Sequence, residues 1–531
     1  MKEVSRARGR NKSSPMAQEI ELKLEIQPSV VRKVAELPWL RELATGPSKR
    51  EKLVTVYFDT GKFKLHNRGL ALRVRHFGKK RVQTIKAMRN GTRGAFGRDE
   101  WEQQIAGDQP DLSLARGTAL ERFVTKRLRR KLRPIFETVV ERTVLPVGLD
   151  GTDVEIAVDR GYIRTGAHRE PISEIEIELK KGDRTALSRI AERLAGSIRV
   201  AYGARAKPER GYALSADKAG EPVAASEIAV HPKSSTAEAF RVFALASLDH
   251  ALSNERAVQG GDPEGIHQMR VGLRRLRAAL SLFKELVRGS ETKSIKSELK
   301  WLTDQLGAAR ELNVLIEERV DSLRDAASGP AMGILKEDLE KRLDAELEQA
   351  GAVVASERYR AIGLRTALWI LNGKWSSSDD ELLAARRERP AAEFAAELLT
   401  QYQRKILKKA AKIEQLDPGR RHKLRIAIKK LRYACEFFAG LFAGRKRDAR
   451  RKRFSKMLED LQDALGTLND MESHKRVAGQ IVRAGKPKGH QLEKALAMGF
   501  IEGHEQTQVA HCLRAVEKAV SRLAGARLFW E

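Results

Sequence analysis

The feature that most constrains this chain is charge at every second position, first in Glu19-Ile20-Glu21-Leu22-Lys23-Leu24-Glu25-Ile26. In a strand successive side chains point to opposite faces, so Glu19, Glu21, Lys23 and Glu25 line one face and Ile20, Leu22, Leu24 and Ile26 the other. Dehydrating that charged row is costly unless it faces a wet cavity where a cation and an anion neutralise it; the plain alternative is a solvated face of an antiparallel strand. One strand does not decide between them.

The pattern recurs up to about Leu214. Thr55-Val56-Tyr57-Phe58-Asp59-Thr60 is followed by Leu72-Arg73-Val74-Arg75, Thr84-Ile85-Lys86 and Arg98-x-Glu100-x-Glu102. Further on come Arg142, Glu155 and Asp159 opposite Val154, Ile156 and Val158, and then the strict alternation Glu174-Ile175-Glu176-Ile177-Glu178-Leu179-Lys180. Helices are predicted near Ser29 to Leu37 and Thr185 to Ala195; the remainder reads as a mainly antiparallel sheet. A half-exposed sheet also alternates, but a merely soluble face would carry more Thr, Ser and Gln than these strands do. Turned inward, the charged faces would give a barrel with an ionic lumen and apolar packing outside. Its acids would suit a hard divalent cation, Mg²⁺ or Mn²⁺, and its bases phosphoryl oxygens.

These motifs, together with Asp159-x-Gly161 and Lys207-x-x-Arg210-Gly211-Tyr212, resemble in order the CYTH superfamily of triphosphate tunnel metalloenzymes over roughly residues 17 to 215. The resemblance implies an eight-stranded antiparallel tunnel that binds a triphosphate and a divalent metal. It implies a catalytic motif of Glu19, Glu21 and Lys23, metal ligands Glu19, Glu21, Glu176 and Glu178, and phosphate contacts Lys23, Arg73, Arg75, Lys86, Arg142 and Lys207. Glu100, Glu102 and Asp159 join as further tunnel residues. The expected reaction is hydrolysis of inorganic triphosphate, with basic side chains holding the substrate and the metal activating water. Thiamine or nucleoside triphosphate is the alternative substrate.

After a linker predicted at residues 216–235, the pattern turns helical, with Leu, Ala, Glu, Lys and Arg at 3.6-residue periodicity. Here a segment repeats: Ile266-His267-Gln268-Met269-Arg270 to Arg277 returns as Arg421-His422-Lys423-Leu424-Arg425 to Arg432, displaced by 155 positions (267 to 422). On a helix His267, Arg270, Arg274 and Arg277 form one stripe and His422, Arg425, Lys429 and Arg432 its twin, while Met269, Leu273, Leu276 and Leu280 face inward. Like charges at such spacing repel by a few tenths of a kcal/mol per pair, so a basic stripe without acids favours a polyanion over a plain solvated face. Each copy leads to a Leu-Gly segment, Leu306-Gly307 and Leu465-Gly466. Such paired helices resemble the CHAD domain over about residues 236 to 525. That implies two pseudo-symmetric helical bundles whose basic surface binds inorganic polyphosphate. Glu311 and Asn313 depart from the Asp residues usual there.

The fold expected is therefore an α+β domain on an eight-stranded antiparallel β tunnel, residues 16–215, and an all-α domain of two pseudo-symmetric bundles, residues 236–531. Residues 1–15 are expected to be a disordered basic lead, with Met16 an alternative start. The net charge of +30, from 101 Lys and Arg against 71 Asp and Glu, calls for polyanionic partners. Aromatics are only 5% of the chain and none interleave with the basic stripes. Stacking platforms for single-stranded nucleic acid are thus missing, and nucleic acid ranks below inorganic phosphate as a partner. Two cysteines, Cys435 and Cys512, give neither a disulfide framework nor a zinc pattern. No apolar run is long enough to cross a bilayer. The expected location is a reducing cytoplasm, in association with polyphosphate granules. The alternative to an enzyme is a polyphosphate-targeting protein with little or no catalysis.

Overall fold

In the computed structural model the described residues are 20–88, 98–228, 230–323, 329–411, 413–483 and 490–531. Glu19 and the basic lead lie outside them. The chain divides into two compact units, Met1–Ala219 and Gly220–Glu531.

The first unit is one antiparallel sheet of nine strands: β1 Ile20–Ile26, β2 Lys49–Asp59, β3 Leu70–Phe77, β4 Lys80–Met88, β5 Arg98–Ile105, β6 Arg133–Leu149, β7 Thr152–Thr165, β8 His168–Lys181 and β9 Val200–Tyr202. Their order is β5-β4-β3-β2-β6-β7-β8-β1-β9. The sheet therefore has nine strands where eight were expected, because the three-residue β9 adds to β1 as an edge. Among the described residues no ladder joins β9 to β5, so the tunnel is a curled sheet and not a hydrogen-bonded closed barrel.

The alternation does what its polarity dictates. Leu22 and Leu24 are fully buried beneath helix α1, Thr185–Ser197, whose own buried residues include Leu187, Ile190 and Leu194. Each such burial is worth about 2 kcal/mol relative to exposure. On β3 and β4, Leu72, Val74 and Ile85 are buried in a second apolar cluster with Leu112, Leu120 and Leu128. With both outer faces covered, the charged sides can only turn inward. The predicted helix near Ser29 to Leu37 is instead two short turns, Val31–Val34 and Pro38–Glu42. Pro38 accounts for the break: it disfavours helical geometry at the residue before it and starts the next turn. Helix α2, Lys207–Ser215, follows β9.

The second unit is all helical: α3 Thr236–Leu252, α4 Pro263–Leu282, α5 Ser290–Gln305, α6 Gly307–Leu315, α7 Gly329–Ala355, α8 Glu357–Asn372, α9 Ala391–Ala410, α10 Pro418–Phe437, α11 Arg445–Arg483 and α12 Gln491–Ala524, joined by shorter turns. The 155-position displacement carries the start of α3 onto α9, α4 onto α10 and α5 onto α11. Both α4 and α10 begin with an Asp cap and a Pro, Asp262-Pro263 and Asp417-Pro418. Gly289 and Gly444, before α5 and α11, share φ of 137° and 138°, a backbone state nearly closed to other residues. The copies diverge where α5 stops at Leu306 while α11 runs on. The predicted linker is partly ordered against the helices: Asn254 takes Val223 N–H at 2.8 Å and donates to its carbonyl at 3.0 Å, and Ile228 and Val230 are buried.

Candidate active site

The inward faces of the sheet enclose a cavity of about 750 Å³. Its lining holds eight carboxylates and eight cationic side chains, so the cavity itself is close to neutral. Glu21, Lys23, Arg73, Arg75, Lys86, Glu100, Glu102, Arg142, Asp159, Glu176, Glu178 and Lys207 all line it. Of the tunnel residues expected from sequence, Glu19 alone falls outside the described region.

One wall is built by β6, β7, β8, β1 and α2. Arg142 grips Asp159 with both arms, Nε to Oδ1 and Nη2 to Oδ2 at 2.7 Å each, and reaches Glu176 at 2.5 Å. Lys207, at the start of α2, donates to Asp159 at 2.7 Å, to Glu176 at 3.0 Å, and to Glu174. Burial favours the neutral forms, but these contacts outweigh it. Glu176 is held well below the usual carboxylate range by Lys207, Lys23 and Arg142, and the Lys207 ammonium is pushed up by Glu174, Glu176 and Asp159. Asp159, Glu174 and Glu176 present oxygens within 4.8 Å of one another, the spacing of a cation site. The cation they already hold is the Lys207 ammonium.

Higher on the same wall, Glu21, Glu178 and Glu155 stand directly opposite one another across β1, β8 and β7. Like charges facing across strands are destabilising. Their counter-ions are Lys180, 2.8 Å from Glu178 and 3.3 Å from Glu155, and Lys23, 3.1 Å from Glu21 and 3.5 Å from Glu176. Lys180 is 43% exposed, so one counter-ion of this row stands toward solvent, and the row's oxygen donors suit a hard divalent cation.

The other wall carries the bases of β3 and β4. Arg73 lies 3.2 Å from Glu100 and 3.9 Å from Glu102, and Lys86 lies 2.6 Å from Glu100. Arg75 donates to Thr55 at 3.3 Å. Beside Arg73 and partly desolvated, its guanidinium is lowered to about 10. The Nε of Arg73 is buried with no partner among the described residues. A buried donor of this kind calls for an acceptor. The phenol of Tyr57, pushed up by burial, is brought down overall by Arg73, Arg75 and Lys86.

Helix α2 fixes Lys207 through its next turn. Arg210 donates to Glu170 at 2.7 Å. Gly211 lies flat on Phe136, where a Cβ would come within 2.2 Å of the ring. Tyr212 stacks on His66 and donates to Asp59 at 3.3 Å. Sequence reasoning placed Glu155, Glu174 and Lys180 on the charged faces without giving them a role, and missed Glu51 and Lys49. The same alternation could have supplied those two, since each stands two positions from another inward side chain.

In the helical unit the two stripes lie on α4 and α10. His267, Arg270, Arg274, Arg425, Lys429 and Arg432 are half-buried; Arg277 and His422 are exposed. Met269, Leu273, Leu276 and Leu280 are buried beneath them, as are their counterparts Leu424, Ile428, Leu431 and Cys435. Arg270 donates to the Thr303 carbonyl at 2.7 Å and Arg274 to the Tyr433 hydroxyl at 2.6 Å. Burial, then Arg310 on α6, lowers the His267 pKa; Arg310 is a member of this basic surface that the stripe pattern did not reveal.

Residues 17–212 match the family model of the CYTH domain, and residues 243–477 that of the CHAD domain. The chain is 31% identical over 202 residues to an inorganic triphosphatase of Haemophilus influenzae, covering 38% of this chain and 55% of that protein. It thus spans about half the length of that relative. Among solved structures, the CHAD domain from the plant Ricinus communis is 30% identical, with a TM-score of 0.48, covering 56% of this chain and 96% of the plant domain. A Hippeastrum protein described as revealing a dominant triphosphatase activity is 21% identical, covering 37% of this chain and 95% of its own, with a TM-score of 0.28.

Proposed function

From the premise that this chain carries a CYTH domain followed by a CHAD domain, we propose that the first unit hydrolyses inorganic triphosphate in its cavity with a divalent metal, and that the second binds inorganic polyphosphate. The observation that carries the first half is the lining: acids and bases in equal number around one cavity, with a buried Arg73 donor lacking an acceptor. A neutral cavity admits a highly charged anion only if cations enter with it or internal ion pairs open. A triphosphate together with divalent metal satisfies that condition.

Arg73, Arg75 and Lys86 grip the phosphates from one wall and Lys23, Arg142 and Lys207 from the other, placing positive charge beside the oxygens that carry negative charge during transfer. Glu21 and Glu178, with Glu155 in the same row, Glu176 two positions along β8 and Glu19 expected alongside, would hold Mg²⁺ or Mn²⁺. The bound ion supplies charge neutralisation and a polarised water. Thr55 and Tyr57 orient the guanidiniums of Arg75 and Arg73. The absence of any covalent nucleophile among these roles fits direct attack of water on phosphorus.

The inorganic substrate is favoured by the relative from Haemophilus influenzae. The test is phosphate release from tripolyphosphate by the full chain. Mg²⁺ or Mn²⁺ should be required, a chelator should stop release without unfolding the protein, and Glu21→Gln and Glu178→Gln should each abolish it. Full turnover in both variants would overturn the metal assignment. For the helical unit, replacing His267, Arg274, His422 and Arg432 together should remove binding of long-chain polyphosphate.

A further inference from the structure

The internal repeat makes the crossing of α4 and α10 nearly symmetric, and one of the pairs at which the symmetry fails exchanges an acid for a hydroxyl. On one side Arg275 meets Glu436 at 2.7 Å. The 155-position displacement maps Arg275 onto Lys430 and Ser281 onto Glu436, so the twin contact is Lys430 to Ser281, at 2.8 Å. Where the first contact has a carboxylate, the second has a hydroxyl.

The loss is not made good nearby. Lys430 is half-buried. Burial, and after it Lys405, Lys296, Arg277 and Lys284, lowers its pKa. These groups come from α9, α5, α4 and the turn after α4, so cations from several elements bear on Lys430. The corresponding positions in sequence hold His250, Arg451, Arg432 and Ala439, and the pair on that side is already closed. The acid in the turn after α4, Glu285, is engaged by Arg288, by Lys284 at 3.6 Å and by Arg386 at 3.7 Å. The Tyr402 hydroxyl, on α9, lies beside Ser281. The Lys430 side thus offers an ammonium and two hydroxyls inside a ring of cations.

We infer that the Lys430–Ser281 crossing is a binding site for a single tetrahedral phosphate group, standing where the twin crossing keeps the Glu436 carboxylate. An ammonium and hydroxyl donors on one side, with further cations around the rim, match the oxygens of a dianion. Two sources share this chemistry: free orthophosphate and the end group of a phosphate chain. The inference rests on the geometry of the helical unit alone, so its failure would leave the tunnel reading untouched.

The experiment titrates the full chain, with chelator present, against orthophosphate and separately against long-chain polyphosphate, by calorimetry. Ser281→Glu restores the twin's acid, and Lys430→Met removes the ammonium. Each should weaken binding about tenfold or more, with circular dichroism confirming that both variants remain folded. Glu436→Ser should open the twin crossing and raise the number of bound phosphate groups by one. Losses confined to orthophosphate identify the free ion as ligand; losses confined to polyphosphate identify the chain end. Unchanged binding of both anions by folded Ser281→Glu and Lys430→Met overturns the site.

Discussion

Lys207 donates to Asp159 at 2.7 Å across 48 positions of sequence, placing a helix-borne cation against a strand-borne acid that is fully buried. Breaking a buried pair from one side leaves an uncompensated charge and typically costs about 3–5 kcal/mol. Lys207→Met should therefore destabilise the first unit by an amount of that order. Adding Asp159→Asn should return part of it. A double-mutant cycle in urea measures the coupling; additive losses would separate the two residues.

The Glu176 carboxyl, pushed up by burial, is held by Lys207, Lys23 and Arg142 well below the ordinary value of 4.5. A folded-state pKa below the unfolded one contributes stability that is present above the unfolded value and is lost as pH falls through the folded one. The wild-type stability curve should hold above about pH 4.5 and decline below it, as the unfolded chain takes up a proton that the folded chain resists. In Glu176→Gln that part of the acid decline should disappear, and stability at neutral pH should be lower. Denaturation midpoints followed from neutral to acid pH test both signs.

The ionic lumen was legible because a strand's period of two leaves little choice: Leu22, Val74 and Ile177 had to be buried, and their neighbours had to face elsewhere. Alternation does not say which acid meets which base. Lys207 lies on a helix, outside the strand pattern, and its partners are 31 to 48 positions away. The closeness of Asp159, Glu174 and Glu176 depends on the register between β7 and β8, which no local pattern encodes. The helical repeat was legible from its motif, whereas the exchange of Glu436 for Ser281 gains meaning only once α4 and α10 cross. The short edge β9 escaped because three residues carry too little periodicity to read.

Gly211 is where helix packing governs chemistry at a distance. A Cβ there would come within 2.2 Å of the Phe136 ring, and the ring is itself stacked on Tyr57 at 4.5 Å. Gly211→Ala should push α2 outward and draw Lys207 from its acids. The overpacking should destabilise by about 1–3 kcal/mol, and phosphate release should fall further than that stability loss explains. Phe136→Leu in the same chain should recover much of both. Failure of the rescue would mean that Gly211 serves the helix itself and not its seat.

Arg73 combines a buried Nε lacking a partner with ion pairs to Glu100 and Glu102. A hydrogen bond to a charged group contributes about 1.5–3 kcal/mol, so Arg73→Met should lower kcat/KM for tripolyphosphate by about 10- to 100-fold. Lysine lacks the planar fork that serves the carboxylates and a phosphoryl oxygen together, so Arg73→Lys should recover only a minor part. Steady-state kinetics with both variants decide it, and wild-type kcat/KM in Arg73→Lys would reduce the residue to a point charge.

The duplication gives a prediction with its own control. Asp262 caps α4 by accepting from Glu264 N–H at 2.8 Å and Gly265 N–H at 3.3 Å, and Asp417 caps α10 by accepting from Arg420 N–H at 2.8 Å. Loss of such a cap costs about 0.5–2 kcal/mol. Both helices carry basic side chains behind the cap, but α4 has Glu264 in its first turn and α10 has no acid there. With the helix dipole positive at this end, Asp417 serves α10 without help from an acid in its first turn. Asp417→Ala should therefore destabilise the helical unit more than Asp262→Ala does, and Asp417→Asn should restore the hydrogen bond without the charge. If thermal denaturation of the two alanine variants gave equal losses, the cap's contribution would be hydrogen bonding alone, without help from the dipole.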